Sequence, residues 1–125
     1  MLKIIKNGLV CSAALLSTTC WAENYNLSAI ERNFELPAYV AQTFFNPVIW
    51  KITAKCEIVT EDSSNVIDVV GLHKTGSVNG IPVSEGSRFP IVVHPSETLT
   101  IVADPGAKVQ LTNHGPHLVK AHCKV

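Results

Sequence analysis

The stretch VIWKITAKCEI, residues 48–58, decides the fold class, because apolar and polar side chains alternate along most of it. All of its even positions are apolar and include Trp50 and Cys56, whereas the odd positions from Lys51 to Glu57 are polar. A period of two is typical of a β-strand with one buried and one solvated face. The pattern therefore predicts a strand that carries Cys56 on its core face, and it assigns Trp50 to the same face.

The C-terminal residues follow the same alternation. One face carries Val119, Ala121, Cys123 and Val125, and the other carries Lys120, His122 and Lys124. Cys56 and Cys123 thus both occupy core-facing positions, and they are the two cysteines of residues 23–125. We predict a disulfide between Cys56 and Cys123 that meets across the core, with Trp50 packed against it.

Turn residues divide the chain between these two strands into short pieces. Asn79-Gly80 supplies the two positive φ values of a type I′ hairpin. Further turn signals lie at 84–87, 94–97, 104–106 and 113–116. About seven short strands separated by such turns predict an all-β protein, a small antiparallel β-sandwich with one disulfide. Five of the seven prolines, at 82, 90, 95, 105 and 116, are expected to lie at strand ends.

Residues 23–45 allow two interpretations. Ser28-Ala29-Ile30-Glu31 fits a capping box, which favours a short helix with Ile30 and Phe34 on one side. A leading edge strand is the alternative. Residues 38–45 are expected to form a strand in either case, and it would end at the Asn46-Pro47 turn.

Residues 1–22 have the pattern of a secretory signal peptide. Lys3 and Lys6 precede an apolar stretch at 8–16. In Cys20-Trp21-Ala22, the small residues Cys20 and Ala22 lie at the two positions that a signal peptidase recognises. The apolar stretch is far shorter than the roughly 20 residues of a spanning helix, and the residues before Cys20 lack a lipoprotein box. We predict a signal peptide at 1–22, a single β-sandwich domain at 23–125 and a periplasmic or secreted location.

The charge balance disfavours several partners. Without Lys3 and Lys6, eight Lys and Arg residues face ten Asp and Glu residues, which gives a formal charge of −2. Nucleic-acid binding requires a basic surface, so no nucleic-acid partner is expected. No run of like charge indicates a membrane-surface patch, and no segment is long enough to predict a membrane span.

Motifs that carry chemistry are sparse. The sequence contains no glycine-rich phosphate loop, Gly-x-Ser-x-Gly elbow, His-Glu-x-x-His or Cys-x-x-Cys, so we predict no catalytic residue and no cofactor. His114 and His117 bracket a Gly-Pro turn, and His122 lies on the following strand. Three imidazoles in this arrangement are a candidate copper or zinc site. The competing interpretation is a turn histidine, a strand-start histidine and a solvated histidine beside Lys120 and Lys124.

The combination of alternating strands, Asn-Gly and Pro-Gly turns and a terminal cysteine strand resembles the small immunoglobulin-like sandwich domains that bacteria export. The resemblance covers most of residues 23–125 and implies the fold rather than an activity. The preferred hypothesis is an exported, noncatalytic binding or interaction protein of the bacterial envelope or extracellular space, with a protein partner. The alternatives are a periplasmic copper- or zinc-binding protein that uses the three histidines, or a small secreted enzyme or inhibitor.

Processing and cross-linking are tested together by intact mass. The exported protein should begin near Glu23 and should gain two hydrogens on reduction, because the signal pattern and the shared parity of Cys56 and Cys123 require both. A full-length species with two free thiols at Cys56 and Cys123 would contradict this prediction.

Overall fold

The computed structural model describes residues 24–27 and 31–125 of the chain. The predicted signal peptide at 1–22 lies outside the described residues. No helix occurs in the described ranges, and the prediction of an all-β protein is confirmed. The strands are β1 Asn24–Asn26, β2 Glu31–Leu36, β3 Ala41–Phe45, β4 Ile52–Thr60, β5 Asn65–His73, β6 Gly76–Val78, β7 Ile81–Val83, β8 Arg88–Val93, β9 Thr98–Ala103, β10 Lys108–Asn113 and β11 Val119–Lys124.

These eleven strands form two sheets. The first has the order β1-β3-β10-β5-β8, and the second has the order β2-β11-β4-β9-β6-β7. Neighbouring strands are antiparallel except for β1 and β3, which are parallel. Buried side chains alternate along the strands of both sheets and form one core cluster, as in a sandwich. The described residues form eleven strands and not about seven. β1, β6 and β7 are only three residues long, too short to show a period, and β2 lies in the stretch that allowed a helix or a strand.

The predicted disulfide is present, but its two cysteines do not meet across the core. Cys56 of β4 and Cys123 of β11 are register partners in the same sheet, with Cα atoms 3.8 Å apart. Both side chains are buried, as their parities predict. Immunoglobulin domains instead join their two sheets by a disulfide against which a tryptophan packs. The immunoglobulin-like part of the prediction is therefore not confirmed.

The prediction for Trp50 is wrong. Its side chain is 62% exposed, because β4 begins only at Ile52 and residues 46–51 form a loop. The buried Asn46 side chain donates a hydrogen bond to the Trp50 carbonyl at 2.8 Å, which holds this segment out of the sheet. Alternation of side-chain direction applies only within a strand, so the parity of Ile52 to Ile58 does not extend to Trp50.

The N-terminal part of the domain is extended, and the helix expectation is wrong where the structure describes it. Residues 31–36 form β2, which pairs with β11 at the edge of the second sheet. Residues 28–30, where the capping box would begin, lie outside the described residues. Phe34 of β2 contacts Tyr25 and Phe44 of the opposite sheet, with ring centroids 4.5 and 5.1 Å away. This aromatic cluster joins the two sheets.

Two turns limit the neighbouring strands. Asn79 and Gly80 have φ values of 51° and 80°, and they connect β6 to β7 as the predicted hairpin. Tyr39 has a φ of 62°, which interrupts the predicted 38–45 strand, so β3 begins at Ala41.

Pro82 and Pro90 lie inside β7 and β8 rather than at strand ends. Both strands are sheet edges, where a missing N–H group removes no ladder hydrogen bond.

The described residues include no helix that is long and apolar enough to cross a membrane.

Breaking the disulfide should destabilise the domain. The cross-link joins residues 67 positions apart, so Cys123→Ala should lower the free energy of unfolding by about 2–5 kcal/mol, largely through the unfolded chain. Urea denaturation measures this value. Cys56→Ala made in the Cys123→Ala background should add much less than Cys56→Ala alone, because the cross-link is already lost. Additive losses would show that the two sulfur atoms are not bonded.

Candidate functional site

Four loops come together at one end of the sandwich, which we call the histidine end. They are residues 37–40, 61–64, 94–97 and 114–118. The strand register explains their proximity, since Val119 lies opposite both Leu36 and Thr60, and Asn65 lies opposite Val93. Loops from both sheets therefore place their polar residues on one surface. This surface carries His94, His114 and His117.

The buried side chain of Asn113 organises this end. Its Nδ2 atom donates to the carbonyl oxygens of Leu36 at 2.9 Å and His117 at 2.8 Å. Its Oδ1 atom accepts from the Gly115 amide at 2.7 Å and from Nδ2 of Asn65 at 3.2 Å. These bonds use both donors and both lone pairs of the amide. Asn113 thereby ties the 114–118 loop to the end of β2 and to the start of β5.

A second set of side chains extends this network to the surface. Asn65 donates to Oδ2 of Asp62 at 2.8 Å, and its Oδ1 accepts from the Thr60 hydroxyl at 3.1 Å. Oδ1 of Asp62 lies 2.7 Å from Nδ1 of His117. The His117 side chain is half-exposed, whereas the Asp62 carboxylate is largely covered. The network therefore ends in an imidazole held by a carboxylate at the surface.

Glycine is required at position 115 because the side chains of Asn65 and Asn113 lie very close to its backbone. A Cβ atom at this position would lie 1.9 Å from Nδ2 of Asn65 and 3.1 Å from Oδ1 of Asn113. Such distances are shorter than van der Waals contact, so a side chain at 115 would displace both buried amides. The Gly115-Pro116 turn is therefore fitted to the network beneath it.

Tyr39 and His114 form an aromatic pair on the same surface. The Tyr39 side chain is 66% exposed, and its ring meets the His114 ring edge-to-face at a centroid distance of 5.7 Å. The Tyr39 amide donates to the Asn113 carbonyl at 2.6 Å, and the His114 amide donates to Val66 at 2.8 Å. Backbone bonds to β10 and β5 thus fix both residues. Tyrosine in the left-handed region is strained, and strained residues cluster at functional sites.

The 94–97 loop adds a second imidazole–carboxylate pair. Oε1 of Glu97 accepts from the His94 amide at 2.9 Å and lies 3.2 Å from Nδ1 of the His94 ring. The Ser96 amide donates to the Ile58 carbonyl at 2.8 Å, which anchors the loop to β4. The hydrogen bond from the His94 amide, followed by that from its ring, lowers the pKa of Glu97 below its usual value.

The contact of His117 with Asp62 shifts both groups. The hydrogen bond from His117 is the main cause that lowers the pKa of Asp62, against a smaller opposing effect of desolvation. The same hydrogen bond and the charge of Asp62 raise the pKa of His117 above its usual value. The pair consequently favours the charged form of each group.

The three predicted metal-site histidines do not form one group. His114 contacts Tyr39, His117 contacts Asp62, and His122 lies on the outer face of β11, hydrogen-bonded to Asn33. His122 is three residues beyond Val119, a rise of about 10 Å along a strand. Among the described residues, no group of three or more His, Cys, Asp and Glu side chains is placed to hold a metal ion.

Sequence reasoning missed Asp62, Asn65, Asn113 and Tyr39 as members of this site. Asp62 precedes His117 by 55 positions, so the spacing of residues around His117 gives no sign that the two are in contact. The available signal was a set of polar residues next to predicted strands, but pairing them requires the strand order. Asn113 was assigned only to a turn, although its alternation with Val109 and Leu111 gives it inward parity.

No protein-family model, curated protein or solved structure matches this chain.

The His117–Asp62 contact should make stability depend on pH. A raised histidine pKa contributes stability that is complete below the usual value of 6.5 and is lost as the pH rises through the folded value. The lowered pKa of Asp62 contributes stability above the usual value of 3.8, which is lost on acidification through the folded value. The difference in unfolding free energy between the natural protein and His117→Gln should therefore be largest near about pH 5–6 and decrease towards about pH 8.5.

Urea denaturation across this pH range measures the profile. Asp62→Asn should reproduce the His117→Gln profile, and the double variant should add little to either. A difference that grows from about pH 6 to pH 8.5 would contradict the assignment.

Proposed function

We propose that this chain is an exported, noncatalytic binding protein of the periplasm or extracellular space, and that its histidine end holds a protein partner. The Cys56–Cys123 disulfide and the signal-peptide pattern of residues 1–22 support an oxidising compartment. Loops carried on a rigid sandwich are a common location for binding residues.

The observation that carries the proposal is the ordered exposure of Tyr39. The residue adopts a strained backbone conformation, yet its ring is not used in the core. Asn113 holds the Tyr39 amide and organises the loop that carries His114. A preorganised aromatic side chain loses little conformational entropy on binding, and tyrosine is enriched at protein interfaces.

The charge of this end indicates the chemistry of the partner. Its loops carry Glu61, Asp62 and Glu97, and Lys120 of β11 is the nearest basic residue in the strands that lead into them. Complementary charge speeds association and selects among partners. A partner surface with Arg or Lys residues around an apolar contact for Tyr39 fits this arrangement.

Site-specific photo-crosslinking tests the proposal in the host cell. A photoreactive phenylalanine analogue at position 39 should give a discrete protein adduct, and the same analogue at exposed Ile81 should not. Adding Glu61→Lys and Glu97→Lys should reduce the adduct at position 39 by about tenfold, since both changes oppose a basic partner.

Matched variants separate binding from folding. Glu61→Lys changes an exposed loop position and should leave thermal unfolding close to that of the natural protein. Glu97→Lys also removes the hydrogen bonds to the His94 amide and ring, so thermal unfolding must show that the charge-reversed protein is folded at the temperature of crosslinking. Equal adducts at positions 39 and 81, or an adduct at 39 that is insensitive to charge reversal, would refute binding of a basic partner at the histidine end.

A further inference from the structure

An exposed apolar pair lies at the opposite end of the sandwich, which we call the Trp50 end and which is formed by loops 46–51, 74–75, 84–87 and 104–107. The side chains of Ile49 and Trp50 are 87% and 62% exposed. Pro47 is exposed beside them, while Val48 packs against the core. The loop therefore presents an aliphatic and an indole side chain to solvent at its tip.

This tip is held in place by one buried amide. Nδ2 of Asn46 donates to the carbonyl oxygens of Trp50 at 2.8 Å, Ala103 at 3.0 Å and Asp104 at 3.3 Å. Its Oδ1 atom accepts from the Val48 amide at 3.0 Å. The exposed pair is thus presented by a preorganised loop, so little entropy is lost when it binds a surface.

Charges are separated along the long axis of the sandwich, although they are mixed along the sequence. Six of the eight basic residues of 23–125 lie in the half nearer the Trp50 end, namely Lys51, Lys55, Lys74, Arg88, Lys108 and Lys124. Six of the ten acidic residues lie in the half nearer the histidine end, namely Glu35, Glu57, Glu61, Asp62, Asp68 and Glu97. The formal charge of −2 conceals this polarity.

The basic residues at the Trp50 end adjoin the exposed tip. Lys108 is the register partner of Phe45, which directly precedes the loop. Lys74 extends along Gly106, whose amide donates to the Asn46 carbonyl at 2.9 Å. Lys51 follows Trp50 directly. Each of the two loop carboxylates of this end has a basic side chain nearby. Asp104 lies 3.8 Å from Lys51, and Glu85 lies 3.9 Å from His73.

We propose that the Trp50 end docks on an anionic lipid surface. Trp50 and Ile49 enter the interfacial region, and Lys74 and Lys108 contact the headgroups. Indole rings favour the boundary between headgroups and acyl chains, and basic residues beside such a contact gain from negative surface potential. The acidic histidine end would be repelled by the same surface at close approach, so docking through the Trp50 end is favoured and leaves the histidine end directed away.

The exposed pair of Ile49 and Trp50 is better suited to contact with a lipid surface than to contact with a protein partner. A specific protein interface buries about 800 Å² on each side around a packed centre, whereas here the apolar contact is one narrow protrusion. A protrusion with a basic surround needs a deformable, negatively charged surface rather than a matching pocket. This inference concerns a different end of the molecule and does not depend on the proposed partner at the histidine end.

Vesicle binding of the processed, oxidised protein tests the docking. Trp50 is the only tryptophan of residues 23–125, so its fluorescence reports directly on the tip. Vesicles that contain phosphatidylglycerol in phosphatidylcholine should shift its emission to the blue and bind the protein at least about tenfold more strongly than phosphatidylcholine alone. Salt at about 0.5 M should remove most of the difference by screening.

Matched variants locate the contact. Lys74→Gln should weaken binding about fivefold, whereas Lys120→Gln near the histidine end should not. Ile49→Ser should weaken binding about tenfold, whereas Val92→Ser, at another exposed aliphatic residue, should leave it unchanged. All four positions are exposed, and thermal unfolding confirms that each variant is folded.

Three outcomes would overturn the proposal. The first is the absence of a blue shift and of co-sedimentation with anionic vesicles. The second is equal weakening by Lys74→Gln and Lys120→Gln, which would indicate attraction without orientation. The third is a discrete protein adduct at position 49 in cells together with no vesicle binding, which would assign the tip to a protein. The crosslink at position 39 can succeed or fail independently of each.

Discussion

The pairing of β4 with β11 is the constraint on which the rest of the structure depends. β11 lies between β2 and β4, so it connects the N-terminal edge of the second sheet to the strands that follow. The Cys56–Cys123 bond fixes the register of this pair, since a slip of β11 by one residue would turn Cys123 towards solvent while Cys56 stayed in the core. That register also places the start of β11, at Val119, opposite Thr60 and beside the loop that carries Asp62. The geometry of the histidine end therefore follows from a pairing made in the core.

Alternation within strands could be read from the sequence, and the relations between strands could not. The parities of Cys56 and Cys123 correctly placed both in the core, but parity is the same for residues in one sheet and for residues in facing sheets. Trp50 shows the other limit. Its carbonyl accepts a hydrogen bond from the Asn46 side chain, so the strand and its alternation begin only at Ile52. Alternation is a property of hydrogen-bonded backbone, and a buried side-chain amide can replace that backbone partner.

The candidate sites show the same division. His114 and His117 were singled out correctly as residues of one turn, but their partners Tyr39 and Asp62 come from distant loops. Short-range spacing cannot reveal such contacts, because they depend on strand order. The separation of charge along the sandwich could not be predicted from the sequence either, since acidic and basic residues are mixed along the chain and are sorted only when the strands are placed side by side. Net charge was therefore a poor guide to local surface chemistry.

The position of β11 in the chain has a consequence for the order of folding. Ten strands precede it in the part of the chain that the structure describes, and both of its partners, β2 and β4, are complete long before it is synthesised. Until β11 arrives, the second sheet has a vacant place with two unpaired strand edges, and neither buried cysteine can find the other. In a nascent chain that emerges N-terminus first, the Cys56–Cys123 bond and the closure of the second sheet therefore wait for β11.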